Sequence, residues 1–179
     1  MKKILFLFIL TMFTCARSFS QEVIVTNQKS SEMYSKAKSW VAVNFKSAND
    51  VIQADIPNEK IIVMGISKNT LISKYGDKDI PFPWELGIVV TFDIKEGKYR
   101  YSVETSESPI DILSDERAEY MVDSVLKVTP GGGMIGKKGR ESMKVNMINI
   151  QDQKNKVIKG NIESTASSIK SFMLKNDNW

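Results

Sequence analysis

The sequence has no histidine and a single cysteine in 179 residues. The first absence removes Ser-His-Asp and Cys-His catalysis, the HExxH zinc site and any imidazole switch near neutral pH. The lone thiol, Cys15, leaves no internal disulfide framework and no CxxC metal or redox pair. Long apolar runs are also missing after Phe13, so no later segment reaches the ~20 apolar residues of a membrane span. What is there is a chain 42% hydrophobic and 26% charged with a formal charge of +4. Such a length and composition suit one folded domain better than a disordered or multi-domain chain.

Residues 1–20 have the layout of a secretory signal: Lys2 and Lys3, an apolar run from Ile4 to Phe13, then Ser18-Phe19-Ser20 before Gln21. Small residues stand where a signal peptidase reads, which predicts cleavage between Ser20 and Gln21 and an exported protein, periplasmic or extracellular. Two alternatives are a buried N-terminal element and lipoprotein anchoring through Cys15, for which Met12-Phe13-Thr14 matches the usual lead poorly. Cleavage removes three of 25 bases, Lys2, Lys3 and Arg17, and none of 21 acids, leaving a net +1 and no cysteine.

After the signal, Glu22 to Thr26 reads as a β-branched edge or leading strand. Ser30 or Ser31 can cap a helix over about 31–47, with Tyr34, Ala37, Val41, Phe45 and Ala48 in one stripe widened by Met33 and Trp40. A hairpin turning at Pro57-Asn58 pairs Asp55 with Lys60, Ala54 with Ile61 and Ile52 with Val63, giving strands near 51–56 and 60–68. A second hairpin turns at Glu96-Gly97. It pairs Ile94 with Tyr99, Phe92 with Tyr101 and Val90 with Val103 on one face, and Asp93 with Arg100 on the other. Between the hairpins, Pro81 and Pro83 around Phe82 predict a long crossing loop over Thr70 to Pro83.

Asp115 to Val128, capped by Ser114, carries Ala118, Met121, Val125 and Val128 in a helical stripe and stops at Pro130-Gly131-Gly132-Gly133. A final helix carries Ile158, Ile162, Ala166, Ile169 and Met173 on one face up to about Lys175. Residues 141–157 fit either its early turns or an extra strand.

No motif specifies a chemistry. GGGMIGK at Gly131 to Lys137 satisfies GxxxxGK, but Lys138 stands where a phosphate-binding loop needs a Ser or Thr hydroxyl, and the segment follows a helix rather than a strand. Asp77 and Asp79 are too few donors for calcium, and a catalytic carboxylate pair cannot be inferred from adjacency. Asp115, Glu119 and Asp123 share a helical face that reads as solvated. No catalytic, cofactor-binding or metal-ligating residue is therefore assigned. The chain is nonetheless polarised, with a local −6 over residues 104–123 and a local +5 over residues 137–159. Either the two segments face and screen one another, or Lys137, Lys138 and Arg140 belong to a basic patch for anionic glycan, lipid head groups or an acidic protein.

Three segments resemble a family known mainly from exported Bacteroidetes proteins, domain of unknown function 4468. They are Trp40-Val41-Ala42-Val43-Asn44-Phe45, Val51-Ile52-Gln53-Ala54-Asp55 leading to Lys60-Ile61-Ile62-Val63-Met64-Gly65, and Phe92-Asp93-Ile94-Lys95-Glu96-Gly97-Lys98-Tyr99-Arg100-Tyr101. The resemblance covers about residues 30–104 and departs at Pro57-Asn58-Glu59, where a glycine is expected before Lys60. It implies a TBP-like β-α-β4-α fold and brings no activity, ligand or catalytic residue.

The expectation is thus an α+β domain over 21–179, with a curved antiparallel sheet, helices packed on one face, and an insertion with its own helix and Gly-rich loop at about 105–150. Ile61, Val63 and Ile66 put apolar groups on both faces of one strand, so Ile61 and Val63 become candidates for an interaction surface together with the three basic residues. The leading function is a non-catalytic binding module of the cell envelope, with an envelope protein or an anionic glycan or lipid as partner and no nucleic acid, since a net +1 suits DNA poorly. In that reading the inserted helix at 115–128 is the element that would cover the second face if anything does. The alternative is a hydrolase working through carboxylates, since no other nucleophile constellation is available without histidine and cysteine.

Overall fold

The computed structural model describes residues 19–75, 78–107, 115–128 and 136–175. Its most sharply specified element is the hairpin of β4 (Lys78–Lys95) and β5 (Lys98–Thr105), closed by a two-residue turn with Gly97 at φ +73°. The register is the one the sequence predicts, from Ile94 opposite Tyr99 to Val90 opposite Val103. β1 (Phe19–Val25) pairs with the other edge of β5, β3 (Lys60–Tyr75) with β4, and β2 (Ile52–Ile56) with β3. The result is an open, wholly antiparallel five-stranded sheet in the order β1-β5-β4-β3-β2.

The first hairpin departs from its expected register by one residue. Ile56 lies opposite Lys60 and Asp55 opposite Ile61, because the turn takes three residues, Pro57 to Glu59, with Asn58 at φ +64°. Asparagine tolerates the left-handed region and stands in for the missing glycine. An irregularity between Ile52 and Ala54 then restores the predicted pairing of Ile52 with Val63.

The crossing loop expected over 70–83 is instead a long two-stranded ribbon, Thr70 opposite Pro83 and Ile72 opposite Pro81. The prolines fit because of parity. Ile94 donates its N–H to Glu59 at 2.7 Å, so even residues of β4 bond to β3 and odd ones face the other way. The nitrogens of Pro81 and Pro83 therefore point past the end of β5, where no ladder bond is lost.

Four helices complete the described structure: α1 (Ser30–Asn44), α2 (Ala48–Val51), α3 (Asp115–Val128) and α4 (Lys137–Leu174). α1 starts one residue early, so Lys29 rather than a serine is its cap. Its free N–H groups are met by acids instead: Lys29 donates to Glu32 at 3.4 Å and Ser30 to Glu96 of the β4–β5 turn at 3.0 Å. It ends at Asn44 because Phe45 is extended and lays its ring on Gly65, where any Cβ would overlap that ring. Residues 141–157 are the early turns of α4, not a strand.

The core lies between α1, α4 and one face of the sheet. Met33, Ala37, Trp40 and Val41 meet Ile61, Val63, Val90, Phe92, Tyr99, Tyr101 and Val103, with Ile158, Ile162, Ala166, Ile169 and Met173 of α4 closing the other side as their spacing predicts. Trp40 stands edge-on to Phe45 and Phe92, at 5.9 and 5.6 Å between ring centres, and its indole N–H donates to Ser168 at 3.0 Å. Ile61 and Val63 are thus fully buried and form no surface, which corrects their assignment: alternation along β3 turns odd residues toward the helices. α3 has the expected bounds but buries Ala118, Val122 and Leu126, leaving Met121 and Val125 exposed. Ser114, residues 129–135 and Asp77 lie outside the described residues.

Candidate interaction face

The face of the sheet turned away from the helices is made by even residues of β3 and β5 and odd residues of β4 and β1. Across β2, β3 and β4 it carries Ile56, Ile62, Met64, Ile66 and Val89. Met64 is 52% and Ile66 65% exposed, and no described element lies over them. α3 packs on α4 and does not cover this face. β1 adds Val23 and Val25 at the far edge, 58% and 80% exposed.

An ionic row crosses between these apolar ends. Ile56, Lys60, Asp93, Arg100 and Val23 lie side by side on successive strands. Asp93 accepts from Arg100 at 2.6 and 3.1 Å and faces Lys60 at 3.1 Å. Burial pushes the Asp93 carboxyl up, but the bonds from Arg100 and Lys60 outweigh it and hold the group below the usual carboxylate range. The row holds two cations around one carboxylate, and both cations are already engaged by it.

The other displaced carboxylates follow the same pattern. Glu22 is lowered by Lys170 and Tyr101, at 2.7 Å each, and Asp55 by Tyr34 and Lys38. A general acid needs a raised carboxyl. None of the three qualifies, and each acts as a clamp between elements.

Two open hollows accompany the face, and another lies apart from it between helices. One of about 230 Å³ lies over Val23, Lys98 and Arg100, and one of about 730 Å³ between the two hairpin turns, beside Asn58, Lys60 and Glu96. The third, about 330 Å³, lies between α3 and α4, where Lys137, Arg140 and Lys144 mix with Glu119, Asp123 and Glu141. Among the described residues no three potential metal-ligating side chains are grouped.

Of the predicted basic surface, Lys137 and Lys138 are exposed on the first turn of α4, but Arg140 is bound to Asp123 of α3. Farther along, Lys154 bonds Glu107 at 3.2 Å and lies 4.9 Å from the centre of the Trp84 ring. At these two bridges the acidic and basic segments do face one another. Ser20 and Gln21 sit within β1, opposite Val103 and Ser102. Sequence reasoning named Ile66 but missed Met64, Ile56 and Val25 as surface apolar residues; the even-numbered positions of β3 were the available signal, once the helices had fixed which face is covered.

No helix among the described residues is long and apolar enough to cross a membrane. No curated protein matches the chain. A search of solved structures finds a DUF4468 family protein from Bacteroides ovatus ATCC 8483, 9% identical, covering 93% of this chain and 91% of that one with a TM-score of 0.46. It also finds a TBP-like protein from Parabacteroides distasonis ATCC 8503, 8% identical, covering 92% and 97% with a TM-score of 0.45. The family model described as "Domain of unknown function (DUF4468) with TBP-like fold" matches residues 19–107, the span from the first residue of β1 to just past β5. Over that span the chain matches the family of domain of unknown function 4468, with its TBP-like fold.

Proposed function

We propose that the protein is a non-catalytic interaction module, exported to the periplasm or cell exterior, that binds an envelope protein through the open sheet face. The observation that carries this reading is the uncovered apolar group around Met64 and Ile66. Scattered single apolar residues are ordinary on a surface, whereas a group contiguous across three strands is the usual mark of a contact site. The carboxylates favour no catalytic reading, since those with displaced pKa are held ionised by cations or hydroxyls. The engagement of both cations of the row by Asp93, and of Arg140 by Asp123, argues for a protein partner over an anionic glycan, a lipid or a nucleic acid. Export rests on residues 1–20; processing before folding would leave β1 beginning at Gln21.

The test is capture from envelope extracts by the protein and by the double variant Met64→Lys, Ile66→Lys. A partner retained by the first and lost by the second is the expected result. Capture of nothing above background, or equal capture by both, would overturn the reading.

A further inference from the structure

Five antiparallel strands leave backbone edges, and most of them are visibly blunted. β2 is five residues long, irregular in its pairing, ends at Pro57 and carries Asp55, which is bound to Lys38 and Tyr34. The outer stretch of β3 is closed by α4. Gln153 accepts from the Ile72 N–H and donates to the Ile72 carbonyl, both at 2.8 Å, and Asn146 accepts from the Lys74 N–H at 2.9 Å. The outer stretch of β4 has the nitrogens of Pro81 and Pro83 on its open side. Charge, irregular pairing, proline and cover are the devices that keep an edge from templating another strand.

β1 has none of them. Thr26 donates its N–H to Gly97 at 2.9 Å, so even residues of β1 bond to β5 and the odd ones, Gln21, Val23 and Val25, turn their N–H and C=O groups outward. Among the described residues nothing is bonded to those groups. The strand has one charge, Glu22, which is held toward the helices by Lys170 and Tyr101.

We infer that the outer edge of β1 is a strand-addition site and that its occupant is a second copy of this chain, joined antiparallel about a two-fold axis at Ile24. The inference stands on the edge and not on the proposed open-face function. Backbone parity allows only registers in which odd residues bond to odd residues, and three of these centre on Glu22, Val23 or Ile24, the interior of the strand from Gln21 to Val25. Centring on Glu22 sets the two Glu22 side chains against each other. Centring on Val23 sets Glu22 against Ile24 and Val25 against Gln21. Centring on Ile24 sets Val23 against Val25 on the open face, Ile24 against Ile24 on the helix side and Glu22 against Thr26. Only this last register matches apolar with apolar on both faces and leaves Glu22 free to keep its two partners. It joins two five-stranded sheets into one of ten strands, with four valines along the seam.

The experiment is sedimentation of the purified protein across concentrations up to about 100 μM, with three variants. The protein is expected to dimerise. Val25→Lys, at a position 80% exposed and therefore neutral for folding, and Val23→Pro, whose N–H the single chain does not use, are each expected to weaken the dimer roughly tenfold or more. Ile24→Cys is expected to give, on oxidation, a disulfide between two copies of residue 24, identified by mass spectrometry. Val25→Cys should not cross-link to itself, because the register offsets the two copies of residue 25 by two positions. A monomer at every concentration, or a dimer that Val25→Lys and Val23→Pro leave intact, overturns the inference. The face variant Met64→Lys, Ile66→Lys should still dimerise, so this result and that of the capture experiment are read separately.

Discussion

The part of the molecule around Trp40 and the part around Gln153 are held by different physics. In the first, the body, aromatic and aliphatic side chains from α1, three strands and residues 158–173 of α4 are packed out of water. In the second, an arm, the ribbon beyond Ser67 lies along residues 137–157 of α4, and not one side chain of that helical stretch is fully buried. Leu71 of the ribbon is fully buried, but most of the attachment is polar: Gln153 with Ile72, Asn146 with Ser73 and Lys74, Lys154 with Glu107, Arg140 with Asp123. A single helix thus changes its mode of attachment within one turn, near Ile158. Burying apolar surface yields about 25 cal/mol per Å², whereas a half-exposed hydrogen bond nets only about 1 kcal/mol, so the arm should be the softer region.

Substitutions should separate the two. Trp40→Ala removes the central ring of the body and should cost about 3–5 kcal/mol in chemical denaturation. A loss below about 1 kcal/mol would mean that the body is not the source of stability. Gln153→Ala should cost about 1–2 kcal/mol. Its clearer sign is faster hydrogen exchange at the Ile72 amide with the amides of Val90 and Tyr101 unchanged. If all three amides quicken together, body and arm are one cooperative unit and the contrast fails.

Smaller effects sharpen the same contrast. Gly160 lies within α4 just past the change of attachment, and a Cβ there meets nothing within 4 Å. Gly160→Ala should raise stability by about 1 kcal/mol, read as a higher melting temperature. Arg140→Ala breaks an ion pair with both side chains nearly half exposed, and should cost under about 1 kcal/mol, the difference vanishing at high salt. pH acts on the body at the extremes. The stabilisation from Glu22, Asp55 and Asp93, all lowered, is complete above the ordinary carboxylate values and is lost as pH falls through their folded values. Burial, and then Glu22, raises Tyr99 to about 12, and burial followed by the bond to Glu22 raises Tyr101. Their contribution is complete below pH 10 and is lost as pH rises beyond it. With no histidine, a thermal melt should hardly move between pH 5 and 9.

The sequence reading succeeded where local chemistry and burial agree. The Glu96-Gly97 turn fixes one register that sorts both faces of β4 and β5, and Ile158 to Met173 repeat at helical steps against a single covered face. It failed where the deciding fact is distant. Two prolines marked a crossing loop until the position of β5 showed that their nitrogens face an unpaired side. Ile61 and Met64 look alike in sequence, and only the location of α1 and α4 decides which is core and which is surface. The stripe on α3 was displaced by one residue for the same reason, since its partner is α4. The open face was therefore legible as two-sided apolar patterning on β3, but not as particular residues.

The 38 residues of α4 run through both regions without a break, and this gives the molecule leverage. From Gly160 to Lys137 the rod is about 34 Å long, at 1.5 Å per residue. A bend of about 10° at the glycine would carry the far end through roughly 6 Å, taking with it the ribbon clasped by Gln153 and Asn146. A small rotation at the rim of the body would thus become a large displacement at the tip. A pull on the tip would, in turn, be felt first at residue 160, where no side chain stiffens the shaft.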